Sequence, residues 1–307
     1  FGLGFKSTFL ACDEPRLWSG RLRCRIHGAF LPIRDDQPCE SIDPFFTAAH
    51  DTWPATAIVL PLRQDQESHD ILVRFRALAP LQSVFARSLS SIEIHTGNHS
   101  QKSSWAPTRF PGCVGVEVGL PHGAGSALPA GTRACVVRAD GADDSRAGAL
   151  FLLGRRGFLP VPDGVPTLWA TTPTRECLEL GVVINGQFSV HTGRARLADH
   201  PEVNGAVADA LGAGAGAAFS SLVDLCCSDW PSARSALGLD DDVQAEGLWS
   251  SLWDLVETAV TALSRAAGTR AGQVAARVLW SPKSGVLSEI VERYPVEQSQ
   301  HIIETVD

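Results

Sequence analysis

Phe1-Gly2-Leu3-Gly4-Phe5-Lys6-Ser7-Thr8-Phe9-Leu10-Ala11-Cys12 is the stretch on which the reading of this chain turns. Glycines among bulky neighbours rule out regular helix from Phe1 to Phe5. Lys6 to Cys12 suits a helix, which Asp13-Glu14-Pro15 must stop. A glycine turn that leads into a helix lets backbone approach a ligand, and the helix N-terminus offers unpaired N–H groups and a positive dipole end. Together these suit a phosphate, although a GxG turn also arises from packing alone. GxxxxGK[ST] is absent, so this is no P-loop. No preceding strand or third glycine makes it a dinucleotide fingerprint.

Outward from that turn the pattern alternates. Arg21 to Phe30 sets Leu22, Cys24 and Ile26 against Arg21, Arg23 and Arg25, which predicts a half-buried strand. Thr56 to Leu62 predicts a second strand, closed by Pro61. Ile71 to Leu89 is helical in composition but interrupted by Pro80. Ser91 to Thr96 alternates again and ends in Gly97-Asn98, a turn signal. Residues 98–130 are rich in Gly, Pro and Ser and read as a border or elaborated loops. Strands are expected at about 113–118, 134–139, 149–154 and 180–190, and helices after Arg194. Gly205 to Ala218 predicts only a weak helix, because each interior glycine costs about 1 kcal/mol relative to alanine. Leu248, Leu252, Leu255, Val256, Ala259 and Leu263 share one helical face, with Asp240 to Asp242 placed to cap its approach. The expected fold class is α+β, in segments 1–97, 98–214 and 215–307, the last a helical extension.

The chain has 307 residues, net charge −8 and 44% hydrophobic residues, enough for a packed core and too apolar for wholesale disorder. No run of apolar residues approaches a transmembrane length, so no membrane partner is expected. The acidic balance argues against nucleic acid. There is no Met, so Phe1 is no translation start. With the opening inside a motif, this leads to the expectation of an interior or distal part of a longer protein. The eight cysteines show no CxxC or finger spacing, which reads as free thiols in a cytoplasmic setting.

Phe1-Gly2-Leu3-Gly4-Phe5-Lys6-Ser7, then Asp13-Glu14-Pro15 and Ser19-Gly20, resembles the end of the ATP lid in GHKL ATPases, closest to the sacsin-type, heat-shock-protein-90-like group. Three later stretches follow in order and span the chain to about residue 205. Ala55-Thr56-Ala57-Ile58-Val59-Leu60-Pro61-Leu62-Arg63 resembles the strand that closes the nucleotide pocket, with Ala55 where the family prefers Gly. Leu89-Ser90-Ser91-Ile92-Glu93-Ile94 resembles the passage that opens the second domain. Asn185-Gly186-Gln187-Phe188-Ser189-Val190 with Gly193-Arg194-Ala195-Arg196-Leu197 resembles the family's NGxF…GRxRL segment.

The resemblance implies that residues 1–97 are the distal part of a GHKL α/β sandwich, followed by a second α+β domain and the helical extension. It implies that Gly2, Leu3, Gly4 and Phe5, with Lys6 beside them, wrap the terminal phosphates of ATP. Thr56 then lies beside the adenine, and Arg194, or in second place Arg196, reaches the γ-phosphate as the catalytic cation. An arginine suits that role, since it cannot lose its charge and binds phosphate oxygens bidentately. The family's general-base Glu, its Mg2+-ligating Asn and its Asp-x-Gly-x-Gly segment have no counterpart in this chain. ATP and Mg2+ are thus cofactors of the intact parent, which would be the ATPase. The output would be conformational switching or chaperone-like remodelling of a protein client or partner domain, with a homodimer compatible. A non-catalytic interaction module that keeps the fold is the alternative.

Other constellations have plainer readings. Arg155-Arg156 before Gly157 reads as a solvated turn. Asp240-Asp241-Asp242 lacks the spacing of a metal loop. Adjacent Cys226 and Cys227 cannot easily chelate one ion, His191 reads as a loop histidine, and Trp249 and Trp253 read as core. Arg194 has Asp199 and Glu202 as the nearest acids in sequence, either of which could hold it as a structural ion pair.

Overall fold

The computed structural model describes residues 7–10, 12–19, 22–28, 31–35, 56–63, 65–86, 88–96, 99–123, 126–139, 146–191, 195–280 and 285–288. The chain is α+β and divides into two compact units, Phe1–Arg74 and Phe75–Asp307.

The first unit holds a short 3-10 helix, Ser7–Leu10, where the sequence predicts a longer helix. Cys12 N–H returns to Thr8 C=O, and the bend before Pro15 stops propagation. Four antiparallel strands follow: β1 (Arg16–Ser19), β2 (Leu22–His27), β3 (Leu31–Arg34) and β4 (Thr56–Val59), in the order β3-β2-β1-β4. β2 alternates as its sequence requires, with Cys24 and Ile26 buried and Arg23, Arg25 and His27 exposed. Trp18 on β1 is fully buried, and the Arg23 guanidinium lies 4.8 Å from its ring centroid, a cation–π contact. A helix, α1 (Asp65–Phe85), runs across the border between the units and carries Pro80 inside it.

The second unit is layered. A three-stranded sheet joins β5 (Ser91–Thr96), β6 (His99–Trp105) and β9 (Pro121–His122). A larger sheet holds β7 (Thr108–Arg109), β8 (Val116–Gly119), β10 (Arg133–Arg138), β11 (Gly148–Leu153), β12 (Phe158–Leu159), β13 (Leu168–Ala170), β14 (Thr172–Pro173) and β15 (Val183–Asn185). Its order is β14-β13-β15-β11-β10-β8-β7, with β12 paired to β11 and with β13 and β15 parallel. Then come α2 (Pro201–Ser228), α3 (Trp230–Leu237), α4 (Ala245–Ala266) and α5 (Arg270–Trp280).

The central strands have two buried faces, so they read as apolar runs rather than alternations. Cys135, Val137, Phe151 and Leu153 join the core shared with α2, α4 and α5, where Phe151 stacks on Phe219 at 5.0 Å. Ala134, Val136, Leu150 and Leu152 join Leu81, Phe85 and Trp105 on the other side. All six face residues of α4 singled out by periodicity are buried.

Gly205 to Ala218, expected to be a weak helix, belongs to the 28-residue α2. Its glycines are contact points: a Cβ on Gly212 would sit 3.0 Å from the carbonyl oxygens of Arg277 and Val278 in α5. Close packing of the two helices offsets the propensity cost. By length and composition α2 could cross a membrane, yet half of its most apolar window is buried in the unit.

Candidate functional site

In the first unit the lid-like stretch and the Thr56 strand are neighbours. β1 and β4 pair antiparallel, with Ser19 opposite Thr56 and Arg16 opposite Val59. Ser19 Oγ and Thr56 Oγ1 are hydrogen-bonded at 2.7 Å, and Thr56 is exposed. Beyond the other end of β4, Cys12 bridges to Leu62. There Arg63 donates to Asp13 Oδ1 from Nε (3.0 Å) and from Nη2 (2.6 Å), and Nη2 also reaches Phe9 C=O at 3.2 Å. One arginine thus ties the end of the 3-10 helix to the end of the strand. Burial pushes the Cys12 thiol up, with Arg63 pulling the other way. Glu14 lies below its ordinary value, chiefly because His27 Nδ1 hydrogen-bonds it at 3.0 Å, with Arg25 adding attraction. Gly2, Leu3, Gly4, Phe5 and Lys6 lie outside the described residues, so of the first unit's expected ligands only Thr56 is placed.

In the second unit the NGxF-like segment is tied down at Asn185, Gly186 and Phe188. Asn185 Oδ1 accepts the Thr171 N–H (2.9 Å) and its Nδ2 donates to Arg146 C=O (2.9 Å). Thr171 sits at φ 65°, an unfavourable region for a β-branched residue, and this bond helps hold it there. A Cβ on Gly186 would meet the Phe188 ring at 2.9 Å, so only glycine lets that ring fold back into the core, where Phe188 is buried.

The chain then makes an arm whose base is the Val190–Leu197 bridge, with His191 N–H bonded to Arg196 C=O. Buried Asn204 of α2 clamps that base: its Oδ1 accepts from Ser189 N–H and its Nδ2 donates to the Ser189 and Ala198 carbonyls. Arg194 lies outside the described residues. Arg196 is exposed on the arm and makes no ion pair among the described residues. Asp199, a candidate structural partner for Arg194, is engaged by Arg270 Nη2 at 2.6 Å.

Two grooves in the second unit were not foreseen. One, of about 710 Å³, lies between the Gly154–Gly157 turn and the start of α4, and is lined by Arg155, Arg156, Asp242, Ser251 and Asp254. Its segments are 86 positions apart in the Arg156–Asp242 pair, a separation that no local pattern reveals. Arg156 holds the Asp242 carboxyl below its ordinary value. Asp241 pairs with Arg234, so two of the Asp triplet's side chains are spent on arginines. No cluster able to hold a metal ion occurs among the described residues. The other groove, of about 510 Å³, is lined by Arg109, Cys113, Val114, Glu117 and Arg138. Arg138 is saturated there by Glu117 and by the carbonyls of Arg146 and Val84, which marks a structural role. The seven described cysteines are free thiols. Burial pushes Cys226 up to about 12 and Cys135 further still, so neither is a nucleophile at neutral pH.

Comparison with protein-family models, curated proteins and solved structures found no match.

Proposed function

We propose that this chain carries the lid end, the adenine-side strand and the phosphate-sensing arm of a GHKL-type, sacsin-like ATP-binding protein. In the intact parent, ATP with Mg2+ orders the lid and drives a conformational switch that remodels a client or partner domain. The observation that carries the reading is the pairing of β1 with β4, locked by Arg63 on Asp13 and Phe9 C=O. The strand that follows the lid-like residues, β1, runs beside β4, whose sequence resembles the strand that closes the nucleotide pocket. The arm that bears Arg194 and Arg196 supports it as well. Its base is clamped by Asn204 and bridged at Val190–Leu197, Asp199 has Arg270 as its partner, and Arg196 is exposed with no ion pair among the described residues.

The test uses the intact parent that this reading requires. Arg194→Ala should lower kcat for ATP hydrolysis by on the order of 10–1,000-fold with little change in nucleotide affinity, as for a contact made in the transition state. Arg194→Lys should not restore it, because the bidentate fork is lost. Thr56→Val should instead weaken ATP binding by roughly two- to ten-fold, the worth of one hydrogen bond. Unchanged turnover in Arg194→Ala shifts the role to Arg196. A parent that neither binds nor turns over ATP is the interaction module, which Ala55 in place of the family's glycine favours.

A further inference from the structure

An edge strand presents unpaired N–H and C=O groups, and proteins blunt such edges by shortness, proline or cover. Most edges among the described residues are blunted this way. β7, β9 and β14 are two residues long. Pro32 sits inside β3, and the four-residue β4 runs on to Pro61. β5 differs: it is six residues long, contains no proline, and pairs among the described residues only with β6.

The ladder fixes which backbone groups point outward. Thr96 lies opposite His99 across a two-residue connection, so these two form a hydrogen-bonded pair, and the alternation gives Ile94 and Ile92 the next bonds to β6. The far side of β6 agrees. Pro121 opposite Trp105 has no N–H, so Ser104 and His122 make the bonded pair with β9. Ser104 therefore turns away from β5, and Ser103, opposite Ile92, turns toward it. The N–H and C=O groups of Glu93 and His95 are left facing the open side. Their side chains share the outer face and are 47% and 55% exposed, with His95 Nε2 3.7 Å from Glu93 within the strand and Lys102 of β6 3.2 Å from Glu93. Ile94 is buried on the inner face.

We propose that β5 is a dimer seam, at which a second copy of this chain adds its own β5 antiparallel. A two-fold pairing that uses the outward groups has few registers. One sets Glu93 against Glu93 of the partner subunit, a like-charge contact that is destabilising. Another sets His95 against His95 of the partner subunit. The third sets Glu93 against the partner's His95, and His95 against the partner's Glu93, with Ile94 on the axis. Each Glu–His pair exchanges both backbone hydrogen bonds, and the imidazole lies beside the carboxylate on the outer face. A carboxylate beside a hydrogen-bonding imidazole, in place of carboxylate against carboxylate, favours this register. It joins the two three-stranded sheets into one continuous sheet, with Lys102, Glu93 and the partner's His95 in a row. The inference stands independently of the nucleotide reading.

Sedimentation equilibrium on the full chain tests it. The wild type should show a concentration-dependent monomer–dimer equilibrium. His95→Pro removes an outward N–H and leaves the β5–β6 ladder untouched, so it should be monomeric throughout. Glu93→Lys should weaken the dimer roughly ten-fold, and the exchanged pair Glu93→Lys with His95→Glu should recover most of that loss. The last two variants leave the backbone unaltered, so they decide the matter if His95→Pro unfolds. A wild type that stays monomeric up to about 1 mM overturns the proposal. A dimer indifferent to His95→Pro and Glu93→Lys, or an exchanged pair no better than Glu93→Lys alone, does so equally.

Discussion

β2 and β11 are both six-residue strands, and they live in different surroundings. β2 buries only Cys24 and Ile26 and exposes the residues between them, whereas every residue of β11 is buried. The first-unit sheet also exposes Leu22, Leu31 and Ile58 by about half. The second-unit sheet is packed on both faces by aliphatic and aromatic side chains. A strand covered on one face keeps charge on the other and tolerates substitution there. A strand covered on both faces tolerates little, because close-packed interiors transmit every lost methylene.

The largest effects should separate the two sheets. Phe151→Ala removes the ring stacked on Phe219 and should cost about 3–5 kcal/mol. Ile58→Ala, on the exposed part of β4, should stay within about 0.5 kcal/mol. Urea unfolding of both variants checks this, and similar losses would break the contrast.

The same contrast holds for ion pairs. Arg138 is held by Glu117 and by two carbonyl oxygens in a nearly dry setting, so Arg138→Ala should cost about 3–5 kcal/mol by leaving Glu117 without its cation. Arg63→Ala breaks an exposed pair and should cost at most about 1 kcal/mol, less at high salt. Melting curves at low and high salt distinguish them.

Glycines sharpen the comparison within the second unit. Gly212→Ala forces a Cβ against backbone carbonyls of α5 and should destabilise by about 1–3 kcal/mol despite better helix propensity. Gly247→Ala meets nothing closer than 3.9 Å and should stabilise by up to about 1 kcal/mol. Opposite signs in denaturant midpoints are the expected result.

The smallest effect concerns pH. Glu14 is held below its ordinary value by His27 and Arg25. Its contribution is therefore present above the unfolded-state value, about 4.3, and is lost as pH falls through the folded value. Glu14→Gln should slightly flatten the acid limb of first-unit stability, as followed by hydrogen exchange of the β1 and β2 amides.

The elements legible in the sequence were those whose pattern matched their surroundings. Ser91–Thr96 and the buried face of α4 were read correctly because alternation and 3.6-residue spacing report one-sided burial. Residues 98–130 were read as border or loops, yet His99–Trp105 is a strand. Its Ser and Gln content hid a ladder set by pairing with β5. α2 was undervalued because its glycines were counted as helix costs, when α5 needs them small. The expected strand at 180–190 shrank to Val183–Asn185, since Asn185 and Gly186 spend their hydrogen bonds on Thr171, Arg146 and Trp169. Of the site, Thr56 on a strand was legible from its apolar pattern, but its neighbour β1 was not, because residues 1–19 read as a turn and a short helix. The Arg270 grip on Asp199 was not, because ion pairs between distant segments leave no local signal.

Pro80 inside α1 reaches beyond packing. It has no N–H to give Arg76 C=O, and the next carbonyl, Ala77, takes the N–H of Ala127, fifty positions later in the chain. The carboxyl half of α1 is thus completed by a loop that leaves the ribosome well after it. One bond of that half joins residues fifty positions apart. Its closure is a long-range event, of the kind that slows folding when loop entropy must be spent before a contact forms.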